Sequence, residues 1–205
     1  MSTTKSPKIV SPKGIAVWPK LNEPDRKFQP EGVYSTKLRI SVDEAQSFID
    51  KLNAMHAEAY RHECVKQGRK SLKQAPMPWA TATDWDSENE TRVDVDGFID
   101  FKFSMKAKVT TKAGKSWEQR PAIFDAQLSP MPADSDHIGG GSVIRISAEL
   151  YAWYSASLGF GITLRPRAVQ VLELKVYAGK ADHGFDAEDG FTVGGSQHFG
   201  DDQDF

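Results

Sequence analysis

From Val143 to Tyr154 every second residue is aliphatic: Ile144, Ile146, Ala148, Leu150 and Ala152 alternate with Arg145, Ser147, Glu149, Tyr151 and Trp153. A period of two is that of a strand with one buried and one solvated face. If the aliphatic face builds the core, two large aromatics are left on the outside beside an arginine. The small, turn-prone run from Ser155 to Gly161 closes a hairpin, and Ile162 and Leu164 then alternate against Thr163, Arg165 and Arg167. Pro166 marks an edge or a bulge, because proline cannot donate to a strand ladder.

The rest of the chain reads in the same way. Lys8 to Trp18 is a first strand broken by Pro12 and Gly14, and residues 19–32 form a loop with three prolines. Val33 to Ile40 alternates again, with Lys37 and Arg39 on its polar edge. Ser41 and Glu44 have the spacing of a capping box. Behind them Ala45, Phe48, Ile49, Leu52, Met55, Ala59 and Tyr60 recur at three and four residues. This predicts one amphipathic helix of roughly 26 residues, from Val42 to near Gln67, about 39 Å long and packed on the sheet. Gly68 ends it.

Residues 75–96 read as loop, with two prolines, an acidic run and Trp79 and Trp85 as anchors on the core. Phe98 to Thr110 is a strand that turns Ile99, Phe101, Phe103, Met105, Ala107 and Val109 inward and Lys102, Lys106 and Lys108 outward. Residues 117–126 return as another strand, and a proline and aspartate loop leads to Gly139, Gly140 and Gly141. About six strands and one inserted helix make a mainly β chain, the pattern of a small, mostly antiparallel barrel of OB-like or related topology.

Charge sharpens this picture. The net charge is -2, yet seven of the 28 acidic residues and none of the 26 basic ones lie beyond residue 181. Residues 1–181 therefore hold 26 basic against 21 acidic residues, a net of +5. The chain divides into one domain over 1–181 and a disordered acidic tail over 182–205. A mildly basic body points to an anionic partner, and its own tail is a candidate competitor. Four of the eleven phenylalanines lie in that tail among acids and glycines, where they build no core and read as short docking motifs. No run of about 18 apolar residues and no secretory leader is evident, so we expect a cytoplasmic protein with no membrane contact. The single cysteine, Cys64, excludes an internal disulfide.

Candidate chemistry follows from the outward residues. Cations along a groove displace condensed counterions from phosphates, and flat aromatics accept the π face of any base. Tyr151 and Trp153 are the candidate stacking platforms. Arg145, Arg165, Arg167, Lys102, Lys106 and Lys108 are candidate phosphate contacts, together with Arg69, Lys70 and Lys73 in the basic patch after the helix. The same aromatics could instead cap a second apolar layer. The glycine run is followed by a strand and by no GK[ST], so it reads as a tight turn rather than a phosphate loop. His56, His62, Cys64 and His137 match no zinc spacing, and no metal site or cofactor is expected. The acidic pairs Asp94 and Asp96, or Glu88 and Glu90, leave a magnesium-dependent nuclease as a rival, though no general base stands beside them. A second rival is an accessory or structural module that docks another protein through its aromatic strand.

Several features recur in a specific order: Gly32-Val-Tyr before the second strand, HxEAY at 56–60, Gly-Arg-Lys-Ser-Leu-Lys at 68–73, Phe-Lys-Phe at 101–103, IGGGS at 138–142, the strand ending Leu-Tyr-Ala-Trp-Tyr, a glycine hairpin, VQVLEL, and an acidic tail closing on Asp-Phe. In this order the chain resembles the phage replication single-stranded DNA-binding proteins of the short-tailed coliphage type. That resemblance implies an OB-fold, binding of single-stranded DNA without sequence readout, strand annealing and no catalysis, in the cytoplasm of an infected bacterium. It implies base stacking by Tyr151 and Trp153. It also implies a tail, with Asp201, Asp202, Asp204 and the terminal Phe205, that recruits replication partners such as a DNA polymerase or helicase-primase, and it raises a homodimer. The chain departs from the family pattern in a shorter, less acidic tail and in fewer lysines on the strand from Val143.

Overall fold

The computed structural model describes residues 7–111, 113–132 and 135–176. The tail from 182, with Asp201, Asp202, Asp204 and Phe205, lies outside the described residues. Among the described residues, ten strands and one helix follow in order: β1 (Lys8–Val10), β2 (Gly14–Asp25), β3 (Val33–Ser41), α1 (Val42–Lys66), β4 (Trp79–Asp86), β5 (Thr91–Lys106), β6 (Lys108–Thr110), β7 (Ser116–Glu118), β8 (Ala122–Phe124), β9 (Val143–Ser155) and β10 (Gly159–Glu173).

Five of these strands close on themselves. β9 pairs with β2, β2 with β3, β3 with β5, β5 with β10, and β10 returns to β9. The fold is mainly β, an OB-like barrel with one inserted helix. It is antiparallel throughout the ring except at its closure, where β10 meets β5 in parallel at Leu164 and Phe103. The inward residues are those the alternation selects: Ile144, Ile146, Ala148 and Leu150 from β9, Ile162 and Leu164 from β10, Leu38 and Ile40 from β3, Phe101 and Phe103 from β5. Ala152 departs from the pattern and is exposed, because β9 there has run past the barrel into the hairpin.

Helix α1 seals one side of the barrel. The Glu44 N–H donates to Ser41 Oγ at 3.4 Å, and that hydroxyl donates to Glu44 Oε2 at 3.0 Å, so the glutamate answers the serine hydroxyl instead of its backbone N–H. Gly68 takes a left-handed φ of 63°, and the Arg69 N–H reaches back to the Cys64 carbonyl at 3.0 Å, closing the last turn. Ala45, Phe48, Leu52 and His56 are buried, with Ile49, Met55, Ala59 and Tyr60 packed beside them. Phe48 meets Phe101 edge-on with centroids 5.1 Å apart. The Tyr60 hydroxyl accepts from the Leu72 N–H and donates to the Leu72 carbonyl, which ties the segment after the helix onto the barrel.

Three sequence expectations are corrected. Residues 75–96 are not loop: β4 and the start of β5 form a hairpin, with Thr83 opposite Asp94 and Trp85 opposite Arg92. Both strands are solvated on two faces there, so no apolar period marks them. The loop assigned to 19–32 begins too early, since β2 continues to Asp25 through two register shifts and a left-handed φ of 50° at Trp18. The single strand expected over 117–126 is two short ones, β7 and β8, separated at Pro121. They also belong to different sheets, β7 with β6 and β8 with β10.

Candidate nucleic-acid interface

Register on the β9–β10 hairpin decides which side chains meet. Tyr151 lies opposite Thr163, Trp153 opposite Gly161, and Glu149 opposite Arg165. The right-handed twist of paired strands brings each β9 side chain over the residue two further along β10. The Arg165 guanidinium carbon sits 3.3 Å from the Tyr151 ring centroid. Trp153 Nε1 donates to Thr163 Oγ1 at 3.1 Å. Arg167 Nε lies 3.3 Å from Glu149 Oε1. One diagonal rule thus orders two aromatics, two arginines and a carboxylate along one ribbon.

The two aromatics are held differently. The Trp153 ring lies against Gly161, where a Cβ would collide with its six-membered ring, so only glycine lets the indole lie on the strand. Tyr151 stands further out, 39% exposed, with the arginine on one face. Neither belongs to the main apolar core. The neighbouring Tyr154 is the residue of this segment that packs inward.

The platform continues sideways. Because Leu164 and Phe103 are aligned and both point inward, Thr163 and Arg165 share an outer surface with Lys102 and Ser104 on β5. Lys102 is exposed and has no carboxylate within ion-pair distance among the described residues; Lys106 lies 3.8 Å from Glu31. Lys73 comes to the hairpin tip: its carbonyl accepts from the Phe160 N–H at 2.8 Å, and Gly159 passes against its backbone. The cluster therefore gathers Tyr151, Trp153, Arg165, Arg167, Lys102, Lys106 and Lys73.

Other candidates stand apart from it. Arg145 is on the same outer face of β9, but six residues along the strand place it about 20 Å from Tyr151. Lys108 is on the separate β6–β7 ribbon opposite Glu118. Arg69 and Lys70 are exposed just beyond the helix end. Two cations escaped the sequence reading as members of this surface. Lys8 on β1 lies directly opposite Glu149, and Lys37 directly opposite Lys102. Only strand register connects them, and no local motif announces it.

Of the acidic pairs that a magnesium-dependent nuclease would use, Asp94 lies opposite Thr83 on the β4–β5 hairpin with Asp96 just beyond it, and Glu88 and Glu90 stand at the turn; all four are exposed. Asp84 is bound by Arg39, which holds its carboxyl below the usual range. Asp86 accepts from the Glu88 and Asn89 N–H groups and from the Asn89 amide, capping its own turn. His56 is buried between Tyr60 and Phe160, its Nε2 without a partner among the described residues, and burial holds it below the ordinary histidine value. His62 is exposed on the helix and His137 is in a loop across from Trp18. The glycine run is a turn: Gly141 has a φ of 87° and donates to the Ala16 carbonyl, while Gly139 donates to that of Lys175.

No protein-family model and no curated protein sequence matches the chain. Solved structures do. The chain aligns with gp2.5, a single-stranded DNA-binding protein encoded by bacteriophage T7, at a TM-score of 0.66 and 23% identity, over 92% of this chain and 100% of that one. The single-stranded DNA-binding protein from bacteriophage Enc34 aligns at a TM-score of 0.57 and 14% identity, over 86% of this chain and 88% of that one. The Enc34 protein in complex with single-stranded DNA aligns at a TM-score of 0.57 and 12% identity, over 82% and 87%. By its strand order, its inserted helix and these alignments, the chain has the fold of phage single-stranded DNA-binding proteins.

Proposed function

We propose that this protein binds single-stranded DNA without reading sequence, in phage DNA replication and recombination, and that it is not an enzyme. The observation that carries this reading is the ordered ribbon on β9 and β10, where Trp153 lies on Gly161 and Tyr151 carries Arg165 on its ring. A base accepts either aromatic as a stacking partner at about 1 to 3 kcal/mol, whatever its identity. Arg165, Arg167, Lys102, Lys106 and Lys73 then neutralise the backbone, a term that weakens steeply with salt.

The proposal extends to the acidic tail, 182–205, which competes with DNA for the basic face and recruits replication proteins when DNA displaces it. It places the protein in the cytoplasm of an infected bacterium and admits a homodimer. Titration of the full chain and of residues 1–181 with oligo(dT), followed by tryptophan fluorescence at several salt concentrations, tests both parts. Quenching that falls with salt, and that is tighter without the tail, is expected. No binding by either form at low salt sinks the reading. Equal affinity of the two forms sinks the competing tail alone.

A further inference from the structure

A second candidate site lies where the barrel opens beside the β6–β7 ribbon. Beyond Leu164 and Phe103, β10 and β5 share no further ladder pair, so the wall parts there. Next to this opening is a cavity of about 380 Å³ whose lining includes Arg26, Lys108, Arg120, Glu31, Glu118 and the ring of Tyr34. Three cations face two carboxylates, and Glu31 is already met by Lys106 at 3.8 Å. The charged side chains of the lining therefore sum to +1.

Tyr34 sets this cavity apart from an ordinary patch of surface cations. It is only 7% exposed, packed with Met105 and Ala107 in a small cluster outside the main core. Its hydroxyl has no protein hydrogen-bond partner among the described residues, although the residue lines the cavity. The side chain is buried but the hydroxyl itself opens onto the cavity, where it is free to donate to an acceptor. Burial raises the hydroxyl pKa, Arg120 and Arg26 pull it down and Glu118 and Glu23 push it up; the balance is upward, so the hydroxyl is a neutral donor.

A chain of contacts links this cavity to the aromatic ribbon. Tyr151 is covered by Arg165, Glu149 holds Arg167, and Arg167 Nη1 donates to Gln119 Oε1 at 3.3 Å. Gln119 lines the cavity and donates through Nε2 to the Lys106 carbonyl. We propose that the cavity is a phosphate-binding site for the DNA strand, in which Arg26, Arg120 and Lys108 and the Tyr34 hydroxyl receive a backbone phosphate beyond the nucleotides stacked on Trp153 and Tyr151. The proposal rests on the single-stranded DNA reading and adds to it a direction: the strand runs along β10 from the hairpin tip toward the β6–β7 ribbon.

The test is a length series of oligo(dT), from about 4 to about 16 nucleotides, against the full chain, the double variant Arg26→Gln/Arg120→Gln, and Tyr34→Phe. For oligomers long enough to reach the cavity, the double variant loses about tenfold in affinity, and its dependence of log K on log salt flattens by about 0.7. The shortest oligomers that bind are unaffected. Tyr34→Phe keeps the packing and shows a smaller loss at the same lengths. Equal losses at every length, or none at any length while the parent protein binds, overturn the cavity and leave the aromatic face standing. If the parent protein binds no oligomer, the DNA reading itself fails and the cavity proposal with it. A free anion is separated by replacing chloride with inorganic phosphate at constant ionic strength. Thermal stabilisation of the parent but not of the double variant, with unchanged affinity for long oligomers, makes the occupant free phosphate and overturns the strand assignment.

Discussion

Arg39 and Arg165 occupy equivalent places, each on the outer face of a barrel strand, yet their surroundings are opposite. Arg39 donates through Nε to Asp100 at 2.9 Å and through its terminal nitrogens to both oxygens of Asp84 and to the Thr83 carbonyl. Its side chain is only 11% exposed and its pKa is raised, first by the bonds to Asp100 and then by those to Asp84. Arg165 has no carboxylate within ion-pair distance among the described residues and lies on an aromatic ring. The first arginine is consumed in holding β3, β4 and β5 together; the second remains available. A count of cations along outward faces treats them alike, and the neighbours decide which can serve an anionic ligand.

The largest effect follows from breaking the first arrangement. Asp100→Ala leaves Arg39 half-satisfied in a buried setting, where loss of one partner costs about 3 to 5 kcal/mol. Urea unfolding should show that loss, while the refolded variant still binds oligo(dT) with near-parental affinity. The second region should respond in the opposite sense. Trp153→Ala removes one stacking surface, and about 1 to 3 kcal/mol corresponds to a five- to hundredfold weaker complex. Its unfolding midpoint should move far less than that of Asp100→Ala.

Arg165→Gln sharpens the comparison further. It deletes a cation that carries no structural ion pair, so stability should stay within about 0.5 kcal/mol. The salt slope of DNA binding should fall by about 0.7. A stability loss without a change in slope would assign Arg165 the role of Arg39. The smallest effect concerns His56, which lies in neither region. Burial holds its folded pKa below the unfolded value of about 6.5, so the unfolded chain takes the proton first. The associated stability is complete above about pH 6.5 and is lost as pH falls through the folded pKa. His56→Leu should flatten the difference in urea midpoint between pH 7 and pH 5.5.

Much of this was legible in the sequence, for identifiable reasons. β9 and β10 each bury one face, so the alternation of Ile144, Ile146, Ala148 and Leu150 gave the register of the outer residues as well. The helix was legible from Ser41, Glu44 and its apolar stripe. β4 was not, because it pairs only with β5 and is solvated over Thr83 to Trp85; its stabilising contact is the pairing itself together with Arg39, and neither leaves a periodic trace. The sites divide along the same line. Tyr151 and Trp153 announce themselves on a patterned strand, whereas Lys8, Lys37 and Tyr34 join their surfaces through pairings over long sequence separations. Lys37 and Arg39 read as a basic edge, but their shared partner Asp100 lies 63 and 61 residues further along the chain.

Photo-crosslinking of the full chain to a single-stranded oligonucleotide carrying a photoreactive uracil, with the modified residues identified by mass spectrometry, tests the central claim most directly. The aromatic ribbon on β9 and β10 predicts adducts at Tyr151 and Trp153 that disappear when unlabelled oligo(dT) is added in excess. Competed adducts at Trp18, Trp85 or Trp117, with none at Tyr151 or Trp153, would place the strand on another face of the barrel and contradict the account.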